Sequence, residues 1–293
     1  WIKAQVDQAI GGNNPAEVLW RGAVDNALAM EEDHFPPSLL GRGLLNPTQN
    51  LVDAFPMANG YPISDQQNAG YVSTAPYTGR DPRLNAYIIY NGATFGTANT
   101  TVINTALDAT TNDGLNKLET STRTGYYMRK LLRNEVNLNS SSRNPQQHIK
   151  PRMRYTEFYL AYAEAANEAW GPLGTGSHTY SAYDVIKAIR RRAGVGVNNN
   201  DPYLESIKND KAAMQTLIRN ERRLELCFEG HRFWDLRRWK RDLTETAKGM
   251  LIQAGTYTPI NVDERVYQDH MIYGPVPNTE ILKFSALKQN TGW

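Results

Sequence analysis

Apolar side chains recur at helical spacing in the second half of the chain. Over residues 153 to 169 they fall three or four positions apart until Gly171 and Pro172 stop the pattern, and the same spacing returns over residues 180 to 193 until Gly194. Such spacing places one apolar stripe along a helix, and glycine or proline ends it. The two segments therefore predict a pair of amphipathic helices joined by a short connection.

A second pair of helices is predicted further along the chain. Residues 210 to 229 place Leu217, Leu224 and Phe228 on one stripe, and residues 231 to 248 continue after a glycine. Two helical pairs in series can bury their apolar faces against each other, as in helical-repeat proteins. The pattern predicts a mainly α fold that is built from stacked helical pairs.

The first half of the chain shows no long helical pattern. From Gly11 to about residue 150, Asn, Gly, Pro, Ser and Thr dominate, and one short helix is predicted after Pro47. Three short apolar runs predict strands at residues 18–20, 87–90 and 126–128. We therefore interpret residues 1–293 as one domain in three parts: a loop-rich region over 1–150, a helical-repeat core over 151–250 and a C-terminal tail over 251–293.

Composition is that of a globular protein. Hydrophobic residues make up 40% of the chain, and no apolar run approaches the ~20 residues that span a bilayer. The formal net charge is only +2, and acidic residues interleave with the arginines, so no surface for nucleic acid is predicted. The single cysteine, Cys227, lies beside an apolar stripe and is predicted to be a core residue.

The densest charge lies between Ile218 and Trp239, where arginines and acids alternate with aromatic residues. Helical spacing predicts four side-chain pairs: Arg222 with Glu225, Glu229 with Arg232, His231 with Asp235, and Asp235 with Arg238. Aromatic residues among the arginines favour burial of these pairs, since guanidinium groups stack on indole rings. We interpret the segment as a structural network between two helical pairs, containing Glu225, Glu229, Arg232, Asp235 and Arg238.

This segment resembles the signature near the C-terminus of the SusD/RagB family. Further blocks, in the family's order, are similar to its motifs: PTQNLVDAF at 47–55 with NGYPI at 59–63, RDPRL at 80–84, PRMRY at 151–155 with LAYAEA at 160–165, IRRRAG at 189–194, and PVPNTEI with QNTGW at 275–281 and 289–293. Val276 and Thr291 depart mildly from the family's residues. The resemblance runs from about residue 47 to the last residue.

The resemblance implies a tetratricopeptide-like helical core and a role in glycan uptake by Gram-negative bacteria. Family members are surface lipoproteins of the outer membrane that bind oligo- or polysaccharide without cleaving it, use no cofactor, and deliver it to a TonB-dependent, SusC-like transporter. They are longer and start with a lipoprotein signal, whereas this chain starts at Trp1, so we expect a C-terminal portion whose membrane anchor lies outside this chain. Two alternatives stay open: a protein-interaction scaffold, and capture of non-sugar cargo such as peptides for the same type of transporter.

Tyrosines concentrate around the Asp81-Pro82-Arg83 turn, within polar loops. A pyranose ring has an apolar face and a rim of hydroxyls, so its site needs a flat aromatic ring beside amide, carboxylate or guanidinium groups. Packing of the tyrosines beneath loops is the alternative, and it stays open for each of them. The predicted glycan-binding residues are Tyr71 and Tyr77 first, then Tyr61 and Arg80, with Trp20 and Trp170 as further candidates.

Catalytic signatures are weak. His148, His178 and His270 stand apart from any nucleophile motif. The run from Glu31 to His34 resembles a metal site, but four adjacent residues rarely converge on one ion, so a solvated acidic loop is predicted. We expect a protein that is not an enzyme and has no metal site.

Overall fold

The computed structural model describes residues 17–198 and 200–293. In this part of the chain the helices are α1 Ala29–His34, α2 Gln49–Ala54, α3 Pro82–Tyr87, α4 Tyr155–Trp170, α5 Ala182–Ala193, α6 Pro202–Ile207, α7 Lys211–Glu225, α8 Arg232–Arg238 and α9 Asn278–Lys283. The strands are β1 Val18–Arg21, β2 Asp25–Ala27, β3 Ile88–Ile89, β4 Thr94–Phe95, β5 Thr101–Val102, β6 Tyr127–Met128, β7 Gln146–His148, β8 Pro151–Arg154, β9 Ala247–Gln253 and β10 Thr256–Asp263. Among the described residues, no helix is both long and apolar enough to cross a membrane.

Three helices form the helical core. α4 packs against both α5 and α7 and buries Leu160, Ile186 and Ile218 in one apolar cluster. Ser181 begins α5 with a reciprocal capping box, and Gly194 ends it in the left-handed conformation that favours glycine. The first predicted helical pair is therefore confirmed, with small shifts at its ends.

The second predicted pair differs from the structure. α7 ends at Glu225, and the chain then turns sharply, with Phe228 at φ 65° and Gly230 at φ 86°. The prediction of a helix over residues 231 to 248 is wrong beyond Arg238, because α8 ends there. α6 was not predicted. Its sequence does carry a helix start signal, because the Asp201 side chain accepts a hydrogen bond from the backbone N–H of Leu204.

An antiparallel hairpin of β9 and β10 lies where the sequence predicted the end of a helix and the start of a tail. Ala254 and Gly255 both have positive φ, which is the geometry of a tight two-residue hairpin turn. β9 packs against α2 and thereby joins this segment to the first half of the chain. The alternation of Ile260 and Val262 with polar residues is the sequence signal for this strand.

The first half consists of short strand pairs and short helices around two apolar clusters. β1 pairs with β8, β2 with β7, β3 with β6 and β4 with β5. The run predicted as a strand over 87–90 is strand only at β3, because α3 extends to Tyr87. Asp81 caps α3, and its carboxylate accepts a hydrogen bond from the Arg83 backbone N–H at 2.8 Å. A helix of this length is too short to show an apolar period, so α1 and α3 were missed.

Cys227 belongs to the apolar cluster beneath α2, as predicted. Burial raises the pKa of its thiol to about 11. Since the thiolate is the nucleophile, the folded protein is expected to resist a thiol reagent at about pH 8 and to react stoichiometrically once it is unfolded in urea. A time course of thiol labelling with and without urea measures this, and fast labelling of the folded protein would contradict the buried position.

Candidate functional site

Two buried glutamates of α7 lie at the centre of an ion network. Glu221 accepts hydrogen bonds from Arg83 Nη1 at 2.8 Å and from Arg190 Nη1 at 2.7 Å. Glu225 accepts one from Arg83 Nη1 at 3.2 Å, and Asp81 binds Nη2 of the same arginine at 2.7 Å. Burial alone would raise the pKa of each glutamate, but the surrounding arginines lower the pKa of both, that of Glu225 to about 2. These side chains connect the start of α3, the end of α5 and the C-terminal half of α7.

Glu229 is held by partners that lie far from it along the chain. Its carboxylate pairs with Lys130 Nζ at 2.6 Å and with Arg154 Nε at 2.7 Å. Helical spacing had predicted Arg232 as its partner, but the turn between α7 and α8 breaks that spacing. Arg232 instead lines a cavity and forms no ion pair among the described residues.

Asp235 joins α8 to α7. It pairs with Arg222 Nε at 2.7 Å and with Arg238 Nε at 2.9 Å. The second contact is one that helical spacing predicts. The first replaces the predicted pair of Arg222 with Glu225, and His231 turns its ring toward a carboxylate of α4 at 3.6 Å rather than toward Asp235. The chain reversal after α7 therefore changes the partners, and of the five predicted network residues Glu225, Glu229, Asp235 and Arg238 stay paired while Arg232 has no ion pair within residues 17–198 and 200–293.

Four tyrosines, Tyr71, Tyr77, Tyr90 and Tyr257, come together and are called here the tyrosine cluster. The ring of Tyr77 stacks on Tyr90 with centroids 4.3 Å apart and meets the edge of Tyr257 at 5.9 Å. Its hydroxyl lies 3.1 Å from the hydroxyl of Tyr126. Burial raises the pKa of Tyr77, and neighbouring Tyr257 and Tyr71 raise it further. Tyr77 is therefore packed on several sides and offers only part of its ring to a ligand.

Arg80 is engaged with the protein's own backbone. Its side chain is 6% exposed, and its Nη2 donates to the carbonyls of Val52 at 2.6 Å and Phe55 at 2.7 Å. The ring of Tyr71 covers the guanidinium, with 5.5 Å between the ring centroid and Cζ. The structure thus puts Arg80 beneath Tyr71, where a cation–π contact fixes the ring, and not at a rim that a ligand could reach.

The other predicted glycan contacts lie apart from the tyrosine cluster. Tyr61 packs against Tyr203, with ring centroids 5.5 Å apart. Trp20 is 63% exposed in β1, opposite Met153 of β8, which directly precedes α4, whereas Trp170 is 43% exposed at the end of α4. α4 is about 24 Å long and the two tryptophans lie toward its opposite ends, so they belong to different surfaces.

Polar groups lie beside Tyr90. Its hydroxyl donates to Asn85 Oδ1 at 3.3 Å, and nearby Arg129 Nη2 donates to Asn99 Oδ1 at 3.2 Å. Amides and guanidinium groups are the partners that sugar hydroxyls need. Sequence reasoning missed these groups and also Tyr257, because β10 lies far from the turn along the chain and no local pattern links the two.

Two cavities meet beside α7. The first, of about 630 Å³, is called here the arginine cavity, and Arg223, Arg232 and Arg237 line it. The second, of about 680 Å³, lies on the other side of Arg223 and is lined by the ring of Tyr203. Both share Arg223 and Asn50. Each volume is in the range typical of small-ligand sites, and sequence reasoning predicted neither.

Comparison with known proteins gives one consistent result. A sequence model of the SusD family matches residues 21–293. The fold is similar to that of a SusD-like protein from Bacteroides fragilis, with 28% identity, a TM-score of 0.74, and coverage of 96% of this chain and 55% of that chain. It is also similar to a SusD-like carbohydrate binding protein from Bacteroides fragilis, with 25% identity, a TM-score of 0.71, and coverage of 92% of this chain and 54% of that chain.

A curated SusD-like protein from Formosa agariphila is 34% identical over 84 residues, which are 28% of this chain and 15% of that protein. The chain spans about half the length of the two solved structures that it matches. These structures confirm the mainly α, SusD-like fold that the sequence implies.

Proposed function

The chain belongs to the SusD family, and on that premise we propose that it binds oligo- or polysaccharide without cleaving it and without a cofactor. The tyrosine cluster is the observation that carries this proposal. Its stacked rings can cover the apolar face of a sugar, and the amide and guanidinium groups beside Tyr90 can bind the hydroxyls. The affinity can be modest, since a millimolar dissociation constant needs only about −4 kcal/mol.

The bound glycan would be delivered to a TonB-dependent, SusC-like transporter of the outer membrane. Family membership supports this step, and it also supports a surface-exposed lipoprotein whose anchor lies outside this chain. In such a system the binding protein passes on its ligand unchanged. Weak contacts favour this transfer, because they allow the ligand to dissociate quickly.

Within the site, Tyr71 and Tyr77 remain the first candidates for stacking on sugar, together with Tyr90. Arg80 acts in this proposal as the support of Tyr71 and not as a ligand contact. Tyr61, Trp20 and Trp170 remain candidates for secondary contacts on separate surfaces.

Tyr71→Ala is expected to weaken glycan binding about 10-fold, which corresponds to the loss of one aromatic stacking contact. Its melting temperature is expected to change little, because the ring is only half-buried. Tyr77→Ala is expected to weaken binding and also to lower the free energy of unfolding by about 2–3 kcal/mol, since its ring packs against three other tyrosines. Calorimetry with a panel of neutral and acidic oligosaccharides, together with thermal unfolding, measures both effects.

The matched control is Tyr180→Ala, because Tyr180 is an exposed tyrosine outside the cluster. This variant should bind as the unchanged protein does. If Tyr71→Ala binds glycan as tightly as the unchanged protein, the binding site does not include Tyr71 of the tyrosine cluster. If the unchanged protein binds no sugar of the panel, the proposal of glycan binding is wrong.

A protein-interaction scaffold is the second candidate function. α4 exposes Tyr155, Phe158 and Tyr159 to solvent, and aromatic residues are enriched at protein interfaces. The same panel separates the two functions, since a scaffold would bind none of the sugars.

A further inference from the structure

Two of the arginines that line the arginine cavity, Arg223 and Arg232, have no ion pair in the described part of the chain. Elsewhere in the described part of the chain, buried arginines such as Arg83 and Arg190 lie against carboxylates at hydrogen-bonding distance. Arg223 and Arg232, in contrast, have neither an ion pair nor a side-chain hydrogen bond among residues 17–198 and 200–293, although both are only partly exposed. A guanidinium that is withdrawn from water normally requires such a partner.

The two guanidinium groups also repel each other. Burial, together with the charge of Arg232, lowers the pKa of Arg223 to about 10, although Glu245 and Asp53 act in the opposite direction. Burial likewise lowers the pKa of Arg232; Glu245 and Asp235 oppose this effect, and Arg241 and Arg265 add to it. Two like charges held beside one cavity are a cost to the folded state that an anion could remove.

The acidic residues of the cavity fill this role only in part, since Glu245 acts to raise the pKa of both arginines without forming an ion pair with either. Asp242, Glu245, Asp263 and Glu264 are all exposed, whereas Arg223, Arg232 and Arg237 are partly buried. Glu245 already accepts a hydrogen bond from Asn50 Nδ2 at 3.0 Å. The acids and arginines that line the cavity have equal formal charge, but its partly buried charged side chains are all arginines.

An aromatic wall lies beside the arginines. The Arg237 guanidinium stacks on Phe233, with 3.5 Å between Cζ and the ring centroid, and lies 6.0 Å from the centroid of Tyr267. Phe233 is 52% exposed, so much of this side chain faces solvent. Cationic groups beside an accessible aromatic ring match a ligand that combines an anionic group with the apolar face of a sugar.

We propose that the arginine cavity binds the anionic group, carboxylate or sulfate ester, of an acidic sugar residue. The inference rests on the proposed glycan-binding function and specifies its ligand class. Arg223 and Arg232 would supply forked N–H donors to the two or three oxygens of such a group, and charge-assisted bonds of this kind are about twice as strong as neutral ones. Phe233 would lie against the sugar ring.

The test compares three oligosaccharides of equal length: a neutral one, one that contains uronic acid and one that carries sulfate esters. The unchanged protein is expected to bind at least one acidic oligosaccharide about 10-fold or more tightly than the neutral one, and this preference should fall as salt is raised. Arg223→Gln and Arg232→Gln are each expected to weaken acidic binding about 10-fold while neutral binding stays within about 2-fold. If the variants lose affinity for the uronic acid oligosaccharide, the ligand group is a carboxylate; if they lose affinity for the sulfated oligosaccharide, it is a sulfate ester.

Arg143→Gln is the matched control, because Arg143 is an exposed arginine paired with Glu32 away from the cavity. It removes the same charge and is expected to leave acidic binding within about 2-fold. Arg223→Gln should also melt at or above the temperature of the unchanged protein, since it removes an uncompensated charge, and this separates a binding role from a structural one. Equal affinity for neutral and acidic sugars would overturn the inference and leave the proposed function standing, whereas no binding in any arm would overturn both.

Discussion

Glu221→Gln is expected to lower the free energy of unfolding by about 3–5 kcal/mol, which is a large part of the about 5–15 kcal/mol by which folded proteins are stable. The substitution keeps the shape of the side chain and removes its charge. Arg83 and Arg190, both buried, would then each lose a carboxylate at 2.8 Å and 2.7 Å. Urea unfolding followed by circular dichroism measures the loss.

Glu280→Gln is the control for this prediction. Glu280 pairs with Lys283 on the surface of α9, so its removal should change the free energy of unfolding by less than about 0.5 kcal/mol. A loss below about 1 kcal/mol for Glu221→Gln would show that the remaining acids neutralise both arginines. The network would then not be the element that joins α3, α5 and α7.

The expected size follows from where Glu221 lies. Its two arginine partners come from different parts of the chain, one from α3 within the RDPRL block and one from α5 within the IRRRAG block. Each of those arginines is also bound on another side, Arg83 by Asp81 and Arg190 by Asp201. Two of the blocks that resemble the family's motifs therefore meet at one buried point, which explains why charged residues are concentrated in them.

The sequence was informative where local physics decides the structure. α4 and α5 could be predicted because an apolar period and glycine stops act within one segment. The ion partners could not, because Glu229 binds Lys130 and Arg154, which lie in loops and strands far away along the chain. Helical spacing predicts Arg232 as the partner of Glu229. That prediction is wrong because the turn at Phe228 separates α7 from α8.

The candidate site shows the same division. Composition finds tyrosines near the turn before α3, but it does not tell which rings reach solvent. Tyr87 is 1% exposed in the core, and Tyr77 is packed among other tyrosines, while Tyr71 lies over Arg80. Tyr257 and the arginine cavity depend on contacts between distant segments, so no pattern along the chain could predict them.

Acidification is expected to destabilise the protein steeply below about pH 4.5, and Glu225 has the largest single effect. Burial opposes the ionised form of Glu225, but Arg83, Arg192, Arg154 and Lys130 outweigh it and hold the pKa at about 2, against 4.5 in the unfolded chain. Since the pKa is lower in the folded state, the stabilisation is complete above pH 4.5 and is lost as the pH falls toward 2. The difference corresponds to about 3 kcal/mol for this residue.

Other carboxylates modify the pH dependence. Glu221 and Glu229 have lowered pKa values despite burial, because arginine and lysine charges surround them, and they steepen the loss in the same pH range. Burial raises the pKa of Asp53 and Asp113, and protonation of these two acids opposes the loss of stability.

The free energy of unfolding, measured by urea titrations between about pH 7 and pH 3, should therefore be nearly constant above about pH 5 and fall below it. Glu225→Gln should be less stable at neutral pH and should show a shallower fall on acidification, because the group that gains the proton is gone. A stability that stays constant down to about pH 3 would mean that the network's carboxylates keep ordinary pKa values, and the argument for buried, fully ionised pairs would fail with it.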